Sequence, residues 1–156
     1  MALAADNQLS VLAFERYDPT DKLIEWLQER GLRVRMGHPL WEMPFKRFTE
    51  DELIAEAEGC VALMGASGTS ITRRMIEALP QLRFISKYGI GVDSIDIDAA
   101  TEHGVLVSNT PNDFQIFTVS EHAVAMMLAL AKQFWTWTPE FMRRGGWRGL
   151  THSATL

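Results

Sequence analysis

The sequence has little of what marks several common classes of protein. Lys and Arg number 15 against 20 Asp and Glu, a net charge of −5, and no basic block is present. This balance argues against a nucleic-acid partner or an anionic membrane surface. The longest apolar run, 123–131, is too short to span a bilayer, and the N-terminus does not resemble a secretory signal. We therefore expect a cytoplasmic protein.

Cysteine is almost absent as well. Cys60 is the only one, which excludes an intrachain disulfide and a thiolate metal cluster. The histidines do not stand at metal-ligand spacing, and none lies beside a recognisable nucleophile; they are His38, His103, His122 and His152. We expect no metal site and no catalytic residue in this chain.

What the sequence does contain is an alternation of short apolar runs and helix-like segments. Helical connections between such strands are typical of a parallel sheet covered on both faces. We predict an α/β fold with a flavodoxin-like strand order 2-1-3-4-5 over residues 1–110. The five predicted strands are 9–14, 32–36, 60–65, 82–86 and 105–109.

Several helix starts carry a capping signal. Thr49 with Glu52 forms a capping box, and Asp96 can cap the segment that Gly104 ends. The first helix is expected to open after Asp18-Pro19-Thr20 and to stop at Gly31. A second capping box, Thr118 with Glu121, predicts the start of a long helix that runs to about Lys132.

The character of the chain changes in residues 111–156. The centre of the long helix, "AVAMMLALA", is apolar all round, which predicts burial on most sides. Three of the five tryptophans follow within 135–147. A five-stranded sheet already has its own crossover helices, so we expect 118–147 to be an arm that packs against something else. One hypothesis is a homodimer formed through this arm.

The stretch "KYGIGVDSID", Lys87 to Asp96, places two glycines after the fourth strand. Ligands bind at the carboxyl edge of open parallel sheets, and a glycine pair there exposes amides suited to an anion. A plain turn is an equally good interpretation. Ser94 stands where a dinucleotide fingerprint needs its third glycine. Lys87 is either an anion partner or a solvated lysine. Ser67 or Thr69 could line the same cleft, but we expect them to cap the next helix.

Taken together, the runs G-x-G-x-D-x-x-D from Gly89, A-A-T-x-x-G, N-T-P and S-E-H before an apolar helix resemble the NAD-dependent D-isomer-specific 2-hydroxyacid dehydrogenases, in particular the phosphoglycerate-dehydrogenase-like branch. The resemblance is dense from about Leu82 to Trp147 and looser before it. It implies a flavodoxin-like substrate domain in 1–110 and, in 111–156, a crossing helix and a linker toward a Rossmann cofactor domain.

The resemblance also implies site residues. The glycine loop binds the substrate carboxylate through the amides of Ile90 and Gly91, flanked by Lys87, Tyr88 and Gly89. Gln115 then faces the substrate, and Thr118 and Val119 approach the nicotinamide. The ligand is a small 2-hydroxy or 2-oxo acid, and the cofactor of the full-length family is NAD or NADP.

Three departures from the family pattern stand out. The loop between N-T-P and the helix is one residue longer than usual, with Gln115 where asparagine is common. Ala66 stands where many relatives carry arginine, which weakens phosphoglycerate as the substrate. The family's G-x-G-x-x-G and its catalytic arginine, glutamate and histidine are not in this sequence, so the Rossmann core is expected to be absent.

Two classes of function remain open. The first is the substrate-binding part of an oxidoreductase acting on the CH–OH group of a D-2-hydroxy acid, inactive and without bound cofactor as this chain alone. The second is a naturally short carboxylate-binding, regulatory or dimerisation module without catalysis.

Overall fold

A computed structural model describes residues 8–66 and 68–144. Over that part of the chain the strands are β1 (Ser10–Arg16), β2 (Arg33–Pro39), β3 (Cys60–Gly65), β4 (Phe84–Lys87) and β5 (Leu106–Ser108). The helices are α1 (Lys22–Glu29), α2 (Glu50–Ala57), α3 (Arg73–Ala78), α4 (Ile97–Glu102), α5 (Asp113–Lys132) and α6 (Pro139–Arg143), with a 3-10 turn at Phe134–Thr136. Ser67, Trp147 and the predicted linker lie outside the described residues.

The five strands form one parallel sheet in the order β2-β1-β3-β4-β5. This confirms the predicted flavodoxin-like order. Parallel neighbours cannot be joined by a tight hairpin, so each connection in the sheet crosses over through a helix. The sheet and its four crossover helices belong to the first of two units, Met1–Pro111; the second unit is Asn112–Leu156.

Side chains of β1 alternate between two apolar clusters, as successive residues of a strand point to opposite faces. Leu12 and Phe14 lie in the larger cluster with side chains of α2, α3 and α4. Val11 and Ala13 lie in the smaller cluster, to which α1 contributes Ile24. The larger cluster contains Leu53, Leu63, Met75, Ile76, Ile85 and Ala99, all nearly inaccessible. The core therefore lies mainly on the face that three helices cover.

The predicted helix boundaries at Thr49, Asp96 and Asp18 in the first unit are confirmed. Thr49 and Glu52 form a reciprocal capping box at α2, and the Asp96 carboxylate accepts the N–H of Ala99 at α4. The Asp18 carboxylate accepts the N–H of Leu23 in α1, and Gly31 has a φ of +82° just after that helix. These residues thus predict the ends of the helices to within about one helical turn.

The predicted start of the long helix is wrong. α5 begins at Asp113, five residues before Thr118, and the Thr118 hydroxyl donates to the carbonyl of Phe114 as it does inside a helix. An acidic residue in the first turn suits the positive helix end, so Asp113 serves where Thr118 was expected to. In the apolar centre of α5, Val124, Met127 and Leu130 are more than half exposed within the described chain, so the predicted burial would need a partner surface.

Candidate functional site

The glycine loop lies at the carboxyl edge of the sheet. Lys87 ends β4 opposite Gly65, which ends β3, and the N–H of Tyr88 donates to the Gly65 carbonyl at 2.8 Å. Gly89, Ile90 and Gly91 follow immediately. Two neighbouring strands therefore end together beneath this loop, which fixes its base.

The loop is pinned from the end of β5. Gly89 has a φ of +111°, a conformation that L side chains rarely adopt. Its N–H donates to the Thr110 hydroxyl at 2.8 Å, and the Thr110 N–H donates back to the Gly89 carbonyl at 3.0 Å. The Asn109 amide donates to the Ile90 carbonyl at 2.6 Å. The N-T-P run is part of the family resemblance, but the sequence did not predict this role for Asn109 and Thr110.

A run of consecutive backbone amides follows the pinned glycine. Among the described residues, the N–H groups of residues 90–94 find no hydrogen-bond acceptor. Successive amides of this kind form concave sites for anion oxygens. The pinning bonds use carbonyls and the Gly89 amide, so they leave these N–H groups available.

A second loop closes the side of this site. The Ile71 N–H donates to the Ser94 carbonyl at 2.7 Å, and the Asp96 N–H donates to the Ile71 carbonyl at 2.9 Å. This parallel bridge ties the β3–α3 connection to the β4–α4 connection. An open cavity of about 390 Å³ lies there, lined by Ser70, Lys87, Gly89, Ile90, Gly91, Asp93 and Ser94. The cavity is thus formed by the β3–α3 and β4–α4 connections together.

Lys87 is buried, with 3% of its surface exposed, and so is not the solvated lysine of the alternative interpretation. Its Nζ donates to the Tyr88 carbonyl at 2.8 Å and lies beneath Gly89. The ammonium group is therefore held under the loop, where it adds positive potential to the amides above it.

Tyr88 does not line this cavity. Its ring meets that of Tyr17 edge-to-face at 5.3 Å, beside the smaller core cluster. Burial raises the pKa of the Tyr88 hydroxyl, and the nearby Asp18 carboxylate raises it further. We infer that the neutral Tyr88 phenol supports the loop by packing and does not contact a ligand in this cavity.

Glu15 is a residue that sequence reasoning missed. It is 1% exposed, and its Oε2 accepts the N–H of Ala66 at 2.7 Å. Oε1 has no hydrogen-bond donor in the part of the chain that the structure describes. A Cβ on Gly68 would overlap this carboxylate and approach Arg47 Nε to 2.8 Å. Glu15 therefore holds the start of the β3–α3 loop. A signal for its burial was present in the sequence, because Val11, Ala13 and Glu15 are spaced two residues apart and so lie on the same face of β1.

The expected cap at Thr69 is wrong. Thr72 caps α3 by accepting the N–H of Met75, and Thr69 is buried with no partner for its hydroxyl among the described residues. A capping side chain accepts the N–H of a residue two or three positions further on. Thr72 stands three residues before Met75, whereas Thr69 lies too far before the first turn of α3.

The remaining candidate residues lie on α5, in the second unit. Gln115 belongs to its first turn, Thr118 bonds back to Phe114, and Val119 is 69% exposed. They share one helix, whereas Lys87, Gly89, Ile90 and Gly91 share the cavity of the first unit.

The glycine loop does not fit a dinucleotide pyrophosphate. Such a group binds at the free amides of a helix N-terminus. At α4 that position is taken by the Asp96 carboxylate, which accepts the Ala99 N–H at 2.8 Å. Within the described residues, His, Cys, Asp and Glu side chains form no group of three suited to a metal ion. None of the described helices meets the length and hydropathy that a bilayer crossing requires.

Comparison with known proteins points to one family. The model of the family described as "D-isomer specific 2-hydroxyacid dehydrogenase, catalytic domain" matches residues 11–155. D-3-phosphoglycerate dehydrogenase of Sus scrofa is 34% identical over 145 residues, which is 93% of this chain and 25% of that protein.

Solved structures give the same fold. The TT0316 protein of Thermus thermophilus is 27% identical with a TM-score of 0.68, over 89% of this chain and 42% of that one. An NAD+-bound 3-phosphoglycerate dehydrogenase of Entamoeba histolytica is 21% identical with a TM-score of 0.63, over 78% and 39%. The chain thus spans about a quarter of its curated relative and under half of these structures.

Proposed function

The chain belongs to the D-isomer specific 2-hydroxyacid dehydrogenase family, and we propose that its first unit binds the carboxylate of a small 2-hydroxy or 2-oxo acid. The observation that carries this proposal is the run of unengaged amides at residues 90–94 on a loop pinned from the end of β5. The N–H groups of Ile90 and Gly91 would donate to the carboxylate oxygens. Lys87 beneath them would add positive charge, since charge-assisted hydrogen bonds are the stronger ones.

Residues 1–110 would then act as the substrate domain, and 111–156 as a crossing helix and linker toward a cofactor domain. On α5, Gln115 would face the substrate, and Thr118 and Val119 would approach the nicotinamide. The reaction would be oxidation at a CH–OH group with NAD or NADP as hydride acceptor, held by residues other than the described glycine loop. We place the protein in the cytoplasm, because its single cysteine is a buried thiol that needs no oxidising compartment.

Titration of the ¹⁵N-labelled chain with D-lactate tests carboxylate binding. The expected result is saturable shifts of the amide signals of residues 90–94, with the Gly104 amide at the far end of α4 unmoved. D-lactamide, which has the same shape without the charge, is the matched control and should bind far more weakly. Equal binding of acid and amide, or shifts elsewhere, would contradict the proposal.

A turnover assay separates the two classes of function. We expect the 156-residue chain with NAD or NADP and a panel of D-2-hydroxy acids to show no cofactor reduction while still binding the acids. Robust turnover would overturn the proposal that this chain alone is inactive. A binding module without catalysis is the second candidate, because the pinned loop is complete within the first unit.

We also propose that the chain forms a homodimer through the 118–147 arm. The support is the exposure of large apolar side chains on α5 and after it, among them Met127, Leu130 and Trp135, each about 60% exposed. Contiguous patches of this kind mark association sites. In sedimentation experiments Met127→Lys should weaken self-association, whereas Leu9→Lys, at an equally exposed apolar residue of the first unit, should not. A wild-type monomer at high concentration would exclude this dimer.

A further inference from the structure

We propose that the cavity beside the glycine loop selects unphosphorylated 2-hydroxy acids with an uncharged polar end over phosphorylated ones. This inference rests on the proposed carboxylate site and goes further, because it names the chemical class of the ligand's other end. The phosphoglycerate dehydrogenases to which the chain is similar would suggest the opposite.

The charge around the cavity is balanced. Among the described residues that line it, Lys87 is the only cation and Asp93 the only anion. The Lys87 ammonium already donates to the Tyr88 carbonyl under the loop. Asp93 is at the surface, and its Oδ2 lies 3.0 Å from the point that a Cβ on Gly91 would occupy. One lysine can offset the carboxylate of the ligand, but the lining offers nothing further for a dianionic phosphate.

Phosphate recognition usually draws on arginine, which donates two parallel hydrogen bonds. The family resemblance implies arginine at the position that Ala66 occupies in this chain. Ala66 is 6% exposed, and its backbone N–H is engaged by Glu15. Its methyl group has nothing to donate to a phosphate.

A guanidinium lies near the β3–α3 loop, but it lines a different cavity. Arg47 Nε lies 2.8 Å from the Cβ position of Gly68, a position that also adjoins the buried Glu15 carboxylate. Arg47 is not among the residues that line the cavity of the glycine loop. It contributes instead to a separate cavity with His38 and Phe48. Arg47 therefore does not replace the missing arginine.

The cavity does offer neutral hydrogen-bonding groups. Ser70 and Ser94 line it, and the Ser94 hydroxyl is buried with no hydrogen-bond partner among the described residues. A hydroxyl both donates and accepts, so it suits a ligand hydroxyl. A buried polar atom that lacks a partner costs free energy, which such a ligand would recover. D-glycerate has this chemistry.

Two matched ligand pairs test the inference on the intact chain by calorimetry at low salt. D-glycerate and D-3-phosphoglycerate differ only in the phosphate, and we expect D-glycerate to bind about ten-fold more tightly or better, from one unfavourable charge contact. Equal or tighter binding of D-3-phosphoglycerate would overturn the selectivity and leave the carboxylate site standing. If neither these acids nor D-lactate binds, the carboxylate site itself fails, and this inference fails with it.

A substitution tests which side chain causes the selectivity against the phosphorylated ligand. Asp93→Asn is nearly isosteric, and should strengthen D-3-phosphoglycerate binding about three- to ten-fold, and more than it strengthens D-glycerate, because the phosphate adds negative charge to the ligand. No gain in phosphate affinity in Asp93→Asn would contradict the charge argument.

Ser94→Ala tests the polar end. It should weaken D-glycerate about two- to ten-fold, the value of one neutral hydrogen bond. D-lactate lacks the distal hydroxyl, so its affinity should stay the same. A variant that weakens both acids equally would show that Ser94 supports the loop and does not select the ligand.

Discussion

The two units treat apolar side chains in opposite ways. In the first unit, Phe14 and Leu63 are almost completely inaccessible, enclosed by three helices on one face of the sheet. On α5, Phe117 and Met127 are more than 60% exposed. Burial of apolar area is the main source of folding free energy, so the first unit carries its own stability. The apolar area of α5 remains available for association.

The largest expected effect tests this contrast with one substitution in each unit. Phe14→Ala should lower the free energy of unfolding of the first unit by about 3–5 kcal/mol, because it removes a buried ring and leaves a cavity. Phe117→Ala, at a residue 64% exposed, should change it by less than about 0.5 kcal/mol. Urea denaturation followed by circular dichroism measures both. A comparable loss in Phe117→Ala would mean that α5 contributes to the same cooperative core.

A smaller effect is expected where the backbone of the first unit requires glycine. Gly89→Ala should cost about 1–3 kcal/mol because of its φ of +111°, and it should weaken carboxylate binding as the pinned loop distorts. Gly31→Ala is the matched control, since Gly31 also has a positive φ but lies after α1 in open space. It should cost about 1 kcal/mol and leave binding intact. Loss of binding in both variants would show that the effect is one of global stability.

Most of the first unit was predictable because its signals are local. Apolar runs of strand length, the capping box at Thr49 and the carboxylate at Asp96 each act within a few residues, and all are found. The predicted helix start at Thr118 failed because the helix extends further back to Asp113, whose acidic side chain suits the first turn. Local patterns do not rank such alternatives.

The site was less predictable because its contacts join distant segments. The glycine pair indicated an anion loop, but its pins come from Asn109 and Thr110, about twenty residues away. The burial of Lys87 and the bond from Ala66 to Glu15 across 51 residues depend on strand register. A sequence pattern shows which residues stand at the sheet edge, and only the packed sheet shows which of them meet.

A helix cap in each unit gives a third, smaller test. Thr49 and Thr138 both accept a backbone N–H at the start of a helix, α2 and α6 respectively. Thr49→Ala should lower the free energy of unfolding of the first unit by about 1 kcal/mol, because α2 packs into its core. Thr138→Ala should leave that free energy unchanged and reduce only local helicity. Equal losses would indicate that the units unfold together.

The smallest expected effect is a dependence on pH in the same capping box. The pKa of Glu52 lies below its ordinary value because the Thr49 backbone N–H, and then the Thr49 hydroxyl, donate to its carboxylate. A pKa lowered by folding contributes stability above the unfolded pKa, about 4.3, and that contribution is lost as the pH falls through the folded pKa. The Glu52 contribution should therefore be fully present at about pH 6 and decline as the pH falls below the unfolded pKa.

Glu52→Gln isolates this term, because glutamine can keep the hydrogen bonds but does not titrate. Since Glu52 lies at the surface, the difference between the two proteins should be small. The fall in urea midpoint between about pH 6 and about pH 3 should be slightly shallower in the variant. An unchanged or steeper fall would assign the acid sensitivity elsewhere, with Glu102 the next candidate because Arg73 lowers its pKa in the same unit.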